Sequence, residues 1–241
     1  MKSQIPVLVV AGLCAVAGLT GCQSGARSGG TGARAAVAVD IAADVDDYTV
    51  DRVGVLSFSN TTGVQKADVA RRYVYAALAQ ADRFFLTKEE TVARHVQRSG
   101  AGPEYERLLG VWGKRRIISA PDLTEVCRAA GFDAMLTIEV SKWAEEKIDR
   151  FQEGSSTTSV ELKMHLYAAD GTLLWSGSSM KVGRSQPYNP EMHMRATQDG
   201  EAVLDESRIP DPPPIEPLAQ ELAREIAATI PDLRADADSA S

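Results

Sequence analysis

The residues able to do chemistry are few. The chain holds three histidines and three cysteines in 241 residues. One cluster stands out, Glu191-Met192-His193-Met194, because adjacent thioether and imidazole ligands suit Cu(I). It has no second methionine-rich segment to complete a coordination sphere, so no metal residue is assigned. His95 falls in a helical pattern among Arg94, Gln97 and Arg98, which reads as a solvated face. His165 alternates with apolar residues beside Glu161 and Lys163, the pattern of a surface cross-strand pair. Asp122 with Glu125, and Glu145 with Glu146, read as helix-start and loop charges rather than as acid/base pairs. The chain contains no Gly-x-Ser-x-Gly elbow, no His-Glu-x-x-His, no Walker loop and no Gly-x-Gly-x-x-Gly. Catalytic and cofactor residues are therefore expected to be none, and the protein is expected not to be an enzyme.

The cysteines carry the sharper signal. Cys14 sits inside an apolar run, Ile5 to Leu19, that follows Lys2, and the run closes on Leu19-Thr20-Gly21-Cys22. A positive end, an apolar stretch and small residues at its close make a secretory signal. Crossing a membrane takes about 20 apolar residues, and this run is shorter and interrupted by Pro6, Gly12 and Gly18. Leu19-Thr20-Gly21-Cys22 resembles the lipobox of bacterial lipoprotein precursors. The resemblance implies cleavage before Cys22 and lipidation of its thiol by acyl chains such as palmitate. It also implies outer-membrane, periplasmic-face localisation, because Gln23 stands where an aspartate would retain the protein in the inner membrane. Cys127 is then the one remaining thiol, so no intramolecular disulfide is available. It is either a buried core thiol or a reactive or intermolecular one.

Charge narrows the partners. Loss of residues 1–21 removes only Lys2, so the formal charge of −7 becomes −8. An acidic chain lacks the basic footprint needed to hold nucleic acid or an anionic membrane surface, and attachment must come from lipid. Four segments are expected: a signal peptide over 1–21, the lipidated cysteine and a flexible tether over 22–44, an α/β domain over 45–233, and a disordered tail over 234–241. The Gly, Ser, Ala, Thr and Arg residues up to about Ala36 cannot bury enough surface to order themselves, and such a chain spans roughly 20 Å.

Within the domain, Arg52 to Phe58 is an apolar run ending in Ser-Asn-Thr-Thr-Gly, a buried strand leading into a turn. Apolar residues at helical spacing follow over 68–82, then a short strand at 84–87 and a second helix from Glu89 to Gly100. Residues 101–118 allow a short helix. Ser119, Pro121 and Asp122 resemble a capping box that opens a helix ending at Gly131. Phe132 to Trp143 alternates as a strand with one core face and one wetter face, and 145–158 is expected to be a loop. Val160 to Ala168 and Leu173 onward pair across Asp170-Gly171 as a hairpin. Arg184 to Arg208 and the prolines from Pro210 to Pro217 are expected to be irregular surface and are the candidate contact surface, since long irregular loops on a rigid scaffold tend to carry function. A final helix follows, with Leu218, Leu222, Ile226 and Ile230 on one stripe.

This order is an α/β fold, a mixed sheet with helices packed on it. It resembles the family of bacterial envelope lipoproteins and modules that includes the curli secretion lipoprotein CsgG, the penicillin-binding-protein activator LpoB and the N-terminal domain of TolB. The residues that carry the likeness are Arg52 to Gly63, Ala130 to Val140, and Tyr167 to Gly177 with its Leu-Trp-Ser-Gly ending. The family has no shared catalytic site, and its members bind partners or assemble. It implies a non-enzymatic, lipid-anchored scaffold or secretion component that binds an envelope protein or itself as a homo-oligomer. An LpoB-like activator of a cell-wall enzyme is the alternative, disfavoured by the short tether, and a metal carrier or enzyme comes third. The CsgG pore is not implied, because Glu139, Glu161, Lys163 and His165 would make poor lipid-facing positions.

Overall fold

A computed structural model describes residues 36–196, 202–204 and 206–234. Cys22 and the tail after Arg234 lie outside the described residues. The described chain forms one mixed sheet of six strands in the order β1-β6-β5-β4-β2-β3. The strands are β1 (Ala38–Ile41), β2 (Arg52–Asn60), β3 (Phe85–Thr87), β4 (Ala134–Glu146), β5 (Thr157–Ala168) and β6 (Leu173–Arg184). The helices are α1 (Ala70–Ala81), α2 (Glu89–Ser99), α3 (Gly102–Arg115), α4 (Ala120–Ala130) and α5 (Ile215–Ala227). A separate short pair, β7 (Met194–Ala196) and β8 (Ala202–Leu204), lies antiparallel within the segment expected to be irregular.

The centre is parallel, β3-β2-β4, and β5, β6 and β1 continue it antiparallel. Parallel strands need helical crossovers, and these cover both faces of β2 and β4. Val53, Val55, Leu136 and Ile138 face α1 and α5 in the larger core, together with Leu162, Met164, Leu222 and Ile226. Leu56 and Met135 face α2, α3 and α4 in a second core with Val92, Leu108 and Leu123. Two covered faces explain why Val53 to Leu56 reads as an unbroken apolar run. Gly54 is required there, because a Cβ would stand 2.8 Å from the Met135 sulfur.

Several expectations are corrected. The outer face of β4 is not wet at its start, since Met135 and Thr137 are buried beneath the second helical layer. Its alternation also changes phase at a register shift between Val140 and Lys142, which returns Trp143 to the core. Glu145 and Glu146 end β4 instead of opening a loop. The sheet begins at Ala38, ahead of the expected boundary at 45, because residues 38–41 pair with Trp175 to Ser178. Ser119 flanks α4 but caps no backbone N–H. Its hydroxyl donates to Asp122 at 2.8 Å. Residues 102–115 form a full helix, and the hairpin turn at Asp170-Gly171 is as expected.

No helix among the described residues is long and apolar enough to cross a membrane.

Candidate functional site

Strands β4, β5 and β6 place two loops at one end of the sheet, residues 147–156 and the stretch after Arg184. The loops are tied together. Gly154 N donates to Tyr188 O at 3.0 Å, and Tyr188 N donates to Gly154 O at 2.6 Å. The Tyr188 ring is buried and stacks on His193 with centroids 5.3 Å apart. Asn189 accepts from Glu191 N at 2.9 Å and starts the single 3-10 turn Pro190–His193. A cleft of 560 Å³ lies among Glu153, Pro187, Asn189, Met192 and His193. Around it the tip displays apolar side chains: Phe151 is 69% exposed, Met192 79% and Met194 56%. An Asx turn holds Phe151 out, Asp149 accepting from Phe151 N at 2.9 Å. The Met-His-Met cluster therefore has its imidazole packed on Tyr188 and both thioethers turned outward.

The proline segment supports this tip and is not a free contact loop. Ser156 Oγ donates to Pro210 O at 2.6 Å, Thr158 Oγ1 to Pro213 O at 2.5 Å, and Lys147 Nζ lies 2.6 Å from Asp211 Oδ1. Pro217 belongs to the first turn of α5, where a missing N–H breaks no intrahelical bond.

A second surface lies on the sheet itself. Helices α2, α3 and α4 bury their core against β2, β4 and Tyr167 of β5, and no residue of β6 or β1 joins that cluster. The cover stops at an aromatic border. Trp112 of α3 meets His165 at 6.2 Å and Tyr167 at 6.4 Å, while His165 and Tyr167 stack at 6.2 Å. His165 is thus half-buried under α3, not on an open surface. Burial holds its pKa below the ordinary imidazole range, Lys163 acts in the same direction, and Glu139 opposes them. Beyond the border the register aligns Glu161 with Met180, Lys163 with Ser178, and His165 with Ser176, and it sets Ala38 and Asp40 beside Ser178 and Ser176. This half of the face is open and polar. At its edge β1 is exposed throughout, Val39 at 40% and Ile41 at 45%.

The other titratable residues have structural partners. Cys127 is buried in the second core, and burial pushes its thiol up to about 12, which removes it as a nucleophile. His95 is only partly exposed and stacks on Phe132 at 6.2 Å. Asp122 accepts from Ser119 and from Arg107 at 2.9 Å, contacts that hold its carboxyl below the usual range. Glu125 pairs with Arg128 on the same helix. At the outer edge of β2, Tyr105 Oη reaches Leu56 O at 3.4 Å and Arg71 lies 3.6 Å from Glu89, whose carboxyl is pushed up by burial. Side chains thus occupy an edge that β3 leaves unpaired after Gly54.

No family model matches this chain. No curated protein matches it either. Among solved structures it is similar to the PelC dodecamer from Paraburkholderia phytofirmans, at 14% identity and TM-score 0.46 over 84% of this chain and 99% of that one. Lipoprotein GNA1162 from Neisseria meningitidis aligns at 19% identity and TM-score 0.39, over 59% of this chain and 89% of that one. The LpoB C-terminal domain from Salmonella enterica aligns at 22% identity and TM-score 0.37, over 55% of this chain and 83% of that one.

Sequence reasoning singled out residues 184–208 but missed Phe151 and the open sheet face. The signal for Phe151 was a lone aromatic residue in a polar stretch, Asp149-Arg150-Phe151-Gln152-Glu153. The open face gave no signal, since half-buried polar alternation looks the same whether or not a helix lies over it.

Proposed function

We propose that this chain is a bacterial envelope lipoprotein, acylated at Cys22 and held at the periplasmic face of the outer membrane, that acts by binding protein and not by catalysis. The observation that carries the reading is the half-covered sheet: among the described residues β6, β1 and the part of β5 beyond His165 have helices on one face only, and the sheet ends in the exposed edge strand β1. Exposed edges present unpaired N–H and C=O groups that another chain can use, and the usual protection by charge or proline is slight here, with Asp40 the one charged residue of β1. The bound protein is a second copy or another envelope protein. The titratable groups support the same reading, since Cys127, Asp122 and His165 are each engaged in packing or pairing.

Crosslinking in intact cells followed by mass spectrometry tests it. The expected result is crosslinks from Lys163 or Lys142 to a second copy or to one envelope protein. Recovery of monomer alone, with purified protein that turns over a substrate or binds copper tightly, would overturn it.

A further inference from the structure

β1 runs antiparallel to β6, Ala38 opposite Ser178 and Ile41 opposite Trp175. The chain before Ala38 therefore comes from the Arg184 end of β6, the end that carries the tip loops. From Ser178 to Arg184 the strand advances about 20 Å at the usual rise per residue. The residues between Cys22 and Ala36 have a composition that spans roughly 20 Å on average and about 50 Å at full stretch. Direction and length agree. A chain of that length lets an acyl anchor at Cys22 reach the membrane from this end of the sheet, and this is the end where Phe151, Met192 and Met194 stand exposed.

We infer that the tip formed by the loops at 147–156 and 185–194 rests on the phospholipid surface, with Phe151, Met192 and Met194 entering the headgroup and acyl boundary beside the anchor. The inference rests on the reading of Cys22 as the anchor. The tip suits lipid in three respects. Two of its three apolar side chains, Met192 and Met194, are unbranched and adaptable, which fits an irregular surface better than a shaped pocket. It carries no positive excess, with Lys147 and Arg150 against Asp149, Glu153 and Glu191, so apolar burial and not attraction to anionic headgroups drives contact. The Arg150 guanidinium lies 4.7 Å from the Phe151 ring centroid, the arrangement of a cation that stays in the headgroup layer while its aromatic neighbour goes deeper. This orientation also leaves the open face of β5 and β6 standing along the membrane normal, free for protein.

The test uses the full chain purified with its acyl groups and reconstituted in phosphatidylethanolamine and phosphatidylglycerol vesicles that carry a doxyl-labelled lipid. A fluorophore is placed through Gln152→Cys at the tip, or through Arg128→Cys on α4, which leads through Gly131 into the start of β4 at the opposite end. Cys127 is buried and does not label. Quenching is expected to be several-fold stronger at position 152 than at 128, to be unchanged by added salt, and to fall to the level of 128 when Phe151→Ser, Met192→Ser and Met194→Ser are combined. Equal quenching at the two positions in acylated protein would overturn the inference and point the tip toward a protein partner, leaving the anchor reading intact. Absence of an acyl group, read from the intact mass before reconstitution, would overturn the anchor reading and this inference with it.

Discussion

Arg116 Nε lies 3.1 Å from Glu139 Oε2, so the residue that ends α3 is fixed to the strand at the border where helical cover of the sheet stops. Arg116 reaches that position in a left-handed conformation, φ 56°, with its guanidinium 5.5 Å from the Trp112 ring centroid. The contacts of a non-glycine residue there must offset about 1–2 kcal/mol of backbone cost.

Two substitutions separate those effects. Arg116→Ala keeps the unfavourable conformation and loses both contacts, and is expected to destabilise by about 1–2 kcal/mol. Arg116→Gly loses the same contacts but relieves the backbone, so it should be the more stable of the two by about 1 kcal/mol. Urea denaturation of both variants measures the difference.

The core assigns clear costs. Leu222 is fully buried between α5 and the sheet, and Leu222→Ala is expected to cost about 2–5 kcal/mol. A Cβ at Gly177 would stand 2.5 Å from the Trp175 ring and 2.9 Å from Ile226, so Gly177→Ala should cost about 1–3 kcal/mol by overpacking. Thermal melts unaffected by either change would remove α5 from β6.

The central strand and the larger core were readable from the sequence because Val53, Val55, Leu136 and Ile138 follow strand periodicity and the helices carry apolar stripes, whereas the face that buries Met135 and Thr137 read as the wetter one. What escaped depends on tertiary position. The phase change after Val140 is set by pairing with β5, and no residue type at 140–142 announces it. β1 was hidden because Ala38-Val39-Asp40-Ile41 continues an alanine-rich stretch and gains its strand only from the β6 edge. The same limit hid the site. His165 looks like a surface residue until α3 is laid over it, and Phe151 looks like loop filler until the two tip loops come together.

His165 supplies a pH dependence. Its folded-state pKa is lowered by burial, so the unfolded chain binds the proton more readily. Stability from this residue is present above the unfolded value of about 6.5 and is lost as pH falls from there toward the folded value. His165→Gln should flatten the change in urea midpoint between pH 7 and the acid side of that window. Wild-type protein with the same slope as the variant would show that the ring is not desolvated under Trp112.

Cys127 should be chemically silent. With its thiol buried and pushed up to about 12, a maleimide added to native protein is expected to leave it unmodified, and to react fully once the chain is unfolded in guanidinium. Rapid labelling of the native protein would contradict its place in the second core.

The central claim is that the open half of the sheet binds protein, and a photo-crosslinking residue at Ser178 tests it most directly, since Ser178 lies on that face between Lys163 and Ala38. Irradiation of intact cells is expected to join position 178 to a second copy or to one envelope protein, while the same residue at Arg128, outside the face, gives no such adduct. Adducts from 128 alone, or from neither position, would contradict the account.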